Sequence, residues 1–385
     1  MKVGAGISAE LHSVAGAAEA ARAAAAGLQG ADADLAVVFA SGAHLAVPEA
    51  TLAAVADELT PGALVGCGAG GVLGGGQELE SGTAVAVWAA SLGAGRARPF
   101  HATVSGEGEM GVLEGLPELG PEDCMIMLSD PYSFPTDAVL DGIAREAPGV
   151  PVLGGLVSAR TADGGGALFL GEEVRDEGAI GICLTGVEML PCVSQGATPL
   201  GREMTITAAE DNVIHELAGQ PAVQAIEQTI GDLSIEDRAL VAAGLLIGIV
   251  IDGGKPDYLQ GDFLVRGVLG ADPDTGSVSV GTLVAPGQVV RLHARNARSA
   301  DDDLRRELRL RTTAIGGERP AGALVFSCNG RGQSMFGATH HDASLIDREL
   351  GGTPAAGFFA AGEIGPVGGR SFLHGFTATV AVFPA

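Results

Sequence analysis

Runs of apolar residues that do not alternate recur along this chain, each followed by a stretch of helical period and then a second apolar run. LAVVFAS (Leu35–Ser41) leads into a helical pattern over Pro48–Leu59 and then ALVGCGAGG (Ala63–Gly71). CMIMLSDPYSFP leads into Thr136–Glu146 and VPVLGGLVSA; ALVFSCNGRG leads into a helix near Ala343–Leu350 and AGFFAAGEIGPVGG. A continuous apolar run of this length is the pattern of a strand covered on both faces. Two such strands joined by a helix should be parallel, with a right-handed crossover. Each copy then passes through a loop, acidic at Glu78 and Glu80 and at Glu172 and Glu173, into a third strand: TAVAVWAA, GAIGICL or FTATVAVF. The pattern predicts three repeats of strand, helix, strand, loop and strand. The third strand is expected antiparallel to the second, which makes an α/β fold of mixed β-sheets with helices on the outer faces. Gly66, Gly154 and Gly362 are expected at equivalent turns.

The segment from about Gly186 to Ala321 has a different character. It carries a predicted helix over Asn212–Thr229, an apolar run with Gly244 and Gly248, and a hairpin in GDFLVRGVLGADPDTGSVSVGT, where DPDTGS supplies the Pro, Asp and Gly of a tight reversal. It divides the chain into an N-terminal half with two copies, 1–200, and a C-terminal half with one copy plus the insert, 201–385. The Ala-rich N-terminus reads as a helix and not a signal peptide, because Glu10, His12, Glu19 and Arg22 interrupt it.

Composition narrows the function. Of 385 residues 22 are Lys or Arg and 47 Asp or Glu, a net charge of −25, which argues against a nucleic-acid partner because phosphate binding needs an excess of cations. The one basic stretch, Arg291–Arg319, has interleaved Asp and Glu at helical spacing and reads as a solvated helix face. Aromatic residues are only 4%, so the core must be built from Ala, Val, Leu and Ile. Five cysteines, none in a CxxC pair, suggest no disulfide framework and no zinc ribbon, and fit a reducing cytoplasm. The longest apolar run, Ala239–Val250, is short of the roughly 18 residues a spanning helix needs, so no membrane segment is expected.

Gly66, Gly68 and Gly71 satisfy GxGxxG, but Gly74, Gly75 and Gly76 follow where a dinucleotide site needs a helix, so close backbone packing is the better reading and no cofactor is expected. The third copy is chemically richer. Ser327, Cys328, Asn329, Arg331 and Gly332 form a loop at the carboxyl end of a strand, where ligands bind in parallel α/β folds. Arg331 could clamp a carboxylate. Glu363 could receive an ammonium, and His374 precedes the last strand. Cys328 could serve as a nucleophile with His340, His341 or His374 as base, or could be a small buried residue. His340, His341 and Asp342 look metal-like, but adjacent histidines point apart and no third ligand has a recognisable spacing; Asp342 is expected to cap the following helix.

LVGCGAGGVLGGGQELESG, VSQGATPLG, GDFLVR, FSCNGRG, AAGEIGPVGG and LHGFTATV, in this order over nearly the whole chain, resemble the FIST proteins, in which a FIST N and a FIST C domain form an intracellular sensory module. The resemblance implies two FIST domains, small-ligand binding with amino acids the usual suggestion, and no established catalytic residues. In HARNA (His293–Ala297), Asn296 stands where the family often has Asp, which makes it a poor site candidate. The family usually feeds a kinase, cyclase or receptor domain, and none is visible in this sequence. The leading expectation is therefore a cytoplasmic small-molecule sensor that signals by contacting another protein. Ser327, Cys328, Asn329, Arg331, Gly332, Glu363 and His374 are its expected ligand contacts. A thiol-dependent or hydrolytic enzyme using Cys328 is the alternative, and an interaction scaffold a third reading.

Overall fold

The computed structural model describes residues 1–106, 111–255 and 257–385. Two compact units are present: Met1–Val193 with Leu304–Leu373 and Thr377–Ala385, and Ser194–Asp303 with His374–Phe376.

The first unit holds the three copies. Their leading strands are Leu35–Ser41, Asp123–Ser129 and Gly322–Cys328, each wholly buried. The crossover helices Pro48–Leu59, Thr136–Glu146 and His341–Glu349 bring the chain to second strands Ala63–Gly68, Val152–Leu156 and Ala355–Ala360. In every copy the second strand runs parallel to the leading one, as the apolar pattern requires. The closing strands Ala84–Ser91, Ala179–Thr185 and Thr377–Phe383 pair antiparallel with the leading strand and not, as expected, with the second.

The reason lies in the loops between second and closing strands. Each folds as a two-stranded arm that joins the sheet of another copy. The first arm, Val72–Gly74 with Gln77–Leu79, adds to the second strand of the third copy; Leu168–Leu170 with Glu173–Arg175 adds to that of the first; and Glu363–Val367 with Arg370–His374 adds to that of the second. The edge of each second strand is thereby occupied by a neighbour's arm. The closing strand has only the free edge of its own leading strand to pair with. The exchange is cyclic, one arm given and one received per copy. At its centre Ser158 Oγ accepts the Gly70 N–H at 3.0 Å and donates to the Phe359 carbonyl at 2.5 Å. The buried rings of Phe39 and Phe358 stack across copies with centroids 5.0 Å apart, an arrangement worth about 0.5–1.5 kcal/mol beyond burial.

Gly66 and Gly154 lie within their strands and not at turns, and the third equivalent is Gly357 in place of Gly362. A Cβ on Gly66, Gly154 or Gly357 would fall 2.0, 1.8 or 1.9 Å from the carbonyl oxygen of Val38, Met127 or Val325, their register partners on the leading strands. The repeat thus shares a close strand contact that only glycine permits.

The second unit is an antiparallel barrel. Ala197–Glu210, Val289–Arg295, Leu245–Val250, Phe263–Asp272, Ser277–Val280 and Val213–Leu217 pair in that order, and the last pairs back onto the first. The 14-residue first strand spans both neighbours by bending at an irregularity between Leu200 and Glu203. The expected hairpin is present, its turn held by Gly276 N–H on the Asp272 carbonyl at 2.8 Å. The expected helix over Asn212–Thr229 is shorter, Ala222–Gly231, because Val213, Ile214 and Leu217 are taken up by the barrel and Pro221 fixes the start. In the basic stretch, the helix Ala297–Ala314 is capped by Asn296 Oδ1, which accepts the Ser299 N–H at 3.1 Å. Its Arg305 and Arg309 pair with Glu349 of the third copy's helix at 2.9 and 2.8 Å, so this face is tethered as well as solvated.

Candidate functional site

The carboxyl end of the third leading strand carries the richest buried chemistry in the first unit. Ser327, at the end of a fully buried strand, donates its Oγ–H to Asp342 Oδ2 at 3.0 Å. The chain then turns, with Arg331 N–H on the Cys328 carbonyl at 2.9 Å, and sends the Arg331 side chain inward. Its guanidinium meets Asp342 in a two-point contact, Nε to Oδ2 at 2.6 Å and Nη2 to Oδ1 at 3.0 Å, with both side chains 0% exposed. His341 Nδ1 lies 3.0 Å from Asp342 Oδ1, and its ring stacks on Phe336, over which Arg331 also sits. Burial alone would raise the Asp342 pKa, but Arg331 and His341 hold it well below the ordinary carboxylate range. Asp342 is therefore ionised and committed to Arg331; it does not cap its helix, the expectation the structure corrects.

Arg331 keeps one group in reserve. Nη1 is buried and has no hydrogen-bond partner in the protein. Glu363, the first residue of the third arm, is wholly buried and interacts electrostatically with Arg331. Its Oε2 accepts the Thr377 N–H at 3.0 Å and hydroxyl at 2.8 Å, while Oε1 finds no conventional partner. Burial pushes the Glu363 pKa up to about 8, against the pull of Thr377, the Cys328 thiol that hydrogen-bonds to it, and Arg331. Cys328, 9% exposed, also receives the Gly330 N–H at 3.5 Å on sulfur. Ser327, Cys328, Arg331 and Glu363 thus form one buried group. Asn329 stands apart, exposed at the turn with its N–H on the Ala360 carbonyl. His374 is buried and belongs to the second unit.

The group is closed by residues from the first copy. Glu78, on the incoming arm, accepts the Ala343 N–H at 2.9 Å through Oε1, and its own N–H donates to His340 Nδ1 at 2.9 Å. It caps the third copy's helix from outside, the task expected of Asp342. Burial raises its pKa, and its Oε2 has no partner. Glu80 Oε1 accepts the Gln333 N–H at 2.8 Å beside Gly332, whose φ of +78° and close approach to the Glu80 carboxylate both require glycine. Of the three histidines considered as bases, His340 is engaged by Glu78, His341 by Asp342, and His374 belongs to the second unit. Among the described residues no group of three or more His, Cys, Asp or Glu could hold a metal ion.

Comparison with known proteins places this arrangement. The FIST N domain model matches residues 34–220 and the FIST C domain model residues 222–366. The chain belongs to the FIST family. An uncharacterized protein of Mycobacterium tuberculosis is 41% identical over 384 residues, covering 100% of both chains. An uncharacterized protein of Mycobacterium bovis is 41% identical over 384 residues, 100% of this chain and 99% of the relative. FIST domains are a sensory, ligand-binding module family. The FIST C match contains the whole Ser327–Gly332 loop, Asp342 and Glu363, while Glu78 and Glu80 come from the FIST N match.

Two features of the site escape sequence reading. Glu78 and Glu80 look like markers of a polar loop until the arm exchange carries them across. Asp342 looks like a cap because the position follows a turn and opens a helix; the available signal was an Arg eleven residues earlier in need of a buried counter-charge.

Proposed function

We propose that this FIST protein is a small-molecule-binding sensory protein that acts in signal transduction by contacting a partner protein, with an amino acid as its ligand and the cytoplasm as its compartment. The observation that carries the reading is the pairing of an unsatisfied donor, Arg331 Nη1, with an unsatisfied acceptor, Glu363 Oε1, on two side chains that are fully buried or nearly so. A buried polar group left without a partner costs about 1–3 kcal/mol, and a zwitterion offers both partners at once. Arg331 would present one N–H edge to a carboxylate while Asp342 occupies the other two nitrogens. Glu363 would receive the ammonium, and binding should lower its pKa. No helix among the described residues is long and apolar enough to cross a membrane.

The experiment is a thermal-shift screen of the full chain against the common amino acids and small organic acids. A ligand at 100 times its Kd adds about 2.7 kcal/mol. The expected result is a shift with at least one amino acid that disappears in Glu363→Gln. A flat response over the whole panel would overturn the reading.

A further inference from the structure

The surroundings of Cys328 do more than fill space. Its sulfur accepts the Gly330 N–H at 3.5 Å, its thiol hydrogen-bonds to the Glu363 carboxyl, and the Arg331 guanidinium, with Nη1 unengaged, acts on the same sulfur electrostatically. A backbone donor and a cation stabilise a thiolate, and an adjoining carboxylate can take its proton. The contrast with other thiols is direct. Cys67, Cys124 and Cys192 are buried in apolar clusters. Burial pushes the Cys67 thiol well above its ordinary pKa and that of Cys124 up to about 12. Cys183 faces Arg98, but burial raises its pKa and Asp123 adds to the rise. Cys328 alone combines a cation, a proton acceptor and a backbone donor within reach of the surface among the described residues.

We infer that Cys328 is a modification site for small hydroperoxides, oxidised to the sulfenic acid with Glu363 as proton carrier and Arg331 Nη1 as the donor to the departing oxygen. The thiol proton passes to Glu363 in its ionised form, whose share grows as pH rises toward 8. The sulfur lone pair then attacks the terminal oxygen of the hydroperoxide, a sulfur–oxygen bond forms and the oxygen–oxygen bond breaks. The departing alkoxide or hydroxide is held by the Arg331 N–H and takes the proton from Glu363. The terminal oxygen keeps its own hydrogen, so the products are the sulfenic acid and an alcohol or water. Sulfur loses two electrons and the peroxide gains them. Two buried polar atoms without a partner, Arg331 Nη1 and Glu363 Oε1, are available to a peroxide, and Cys328 is 9% exposed, which suits a small oxidant.

The test uses the reduced full chain, hydrogen peroxide and dimedone trapping, with site occupancy read by peptide mass spectrometry. Cys328 should be labelled at least about tenfold faster than Cys67, Cys124, Cys183 or Cys192. Glu363→Gln should slow it by about tenfold and change its rate–pH profile. Equal labelling of all five thiols overturns the inference, as does an unchanged rate and profile in Glu363→Gln. If that variant fails to fold, the pH profile of the parent decides, and a profile without a carboxylate-controlled limb overturns it. Alkylation of Cys328 by iodoacetamide without oxidation by peroxide also overturns it. The peroxide site shares Arg331 and Glu363 with the proposed ligand site, and the two readouts separate them: amino-acid thermal shifts without a Cys328 sulfenic acid overturn the oxidation inference alone, and Cys328 oxidation with a flat thermal-shift panel overturns the ligand reading alone.

Discussion

The first and third copies end their leading strands in the same place and do different things there. In the first, Ser41 Oγ bonds to the Gly82 and Ala84 carbonyls, and the buried His44 hydrogen-bonds to Thr51 at 3.0 Å, with burial lowering its pKa to about 4. Its Nε2 has no partner, yet the ring is neutral. In the third, the same strand end holds a fully buried Arg331 and Asp342 ion pair, with Glu363 and Cys328 beside it. The framework of strand, helix, strand and arm is common; the difference is chemistry laid on one copy. A repeat provides equivalent positions, and a single ion pair is enough to turn one of them into a candidate site.

Removing the charge at one end and a neutral partner at the other should separate the copies most. Asp342→Ala leaves Arg331 buried and unpaired and should cost about 3–5 kcal/mol, whereas Thr51→Ala, which removes the His44 partner, should cost about 1 kcal/mol. Urea unfolding of both variants measures this, and equal losses would show that the ion pair is not what distinguishes the third copy. Matched changes in the shared framework should behave alike. Gly66→Ala and Gly357→Ala each push a Cβ to within 2.0 Å of a carbonyl oxygen, and each should cost about 1–3 kcal/mol or more. A tolerated alanine at either position would break the equivalence.

The two ends should also respond to pH in opposite senses. Glu363 has a folded pKa raised to about 8; it holds its proton in the folded state after the unfolded chain has lost it. Its stabilising effect is complete below the unfolded carboxylate pKa and is lost as pH rises toward 8. His44 has a folded pKa lowered to about 4; its effect is present above the unfolded histidine pKa and is lost as pH falls from about 6.5 toward 4. Each slope can reach about 1.4 kcal/mol per pH unit. Unfolding free energies between pH 4 and 8 should show that Glu363→Gln flattens the alkaline limb and His44→Leu the acidic one. The smallest effect concerns the arm: Glu78→Ala removes the cap of the third helix and should cost about 1 kcal/mol, detectable as faster amide exchange at Ala343.

Much of this molecule was legible in its residues. Continuous apolar runs gave the parallel strand pairs, because a strand covered on both faces has no polar side to show. Helical period and proline placed Pro48–Leu59 and Thr136–Glu146 at their observed bounds. The motif order over the whole chain pointed to the FIST family. Local pattern also marked the third strand end as the chemically distinct one, since Ser327, Cys328, Asn329 and Arg331 follow closely where an apolar run ends.

Only the tertiary structure decided where the pieces went. The arms carry no signal of their destination: a short hairpin can add to its own sheet or a neighbour's, and the choice depends on which strand edges are open once all three copies have formed. That choice moved the closing strands to the other side of the leading strands and brought Glu78 and Glu80 more than 250 positions along the chain to Ala343 and Gln333. It also decided the state of the charges. Arg331 reads as a clamp for a ligand carboxylate and Asp342 as a helix cap until folding pairs them and removes water from both, and the burial of Glu363 follows only once its arm is enclosed. Burial is a property of the assembled chain, and the ionisation of these groups follows from burial.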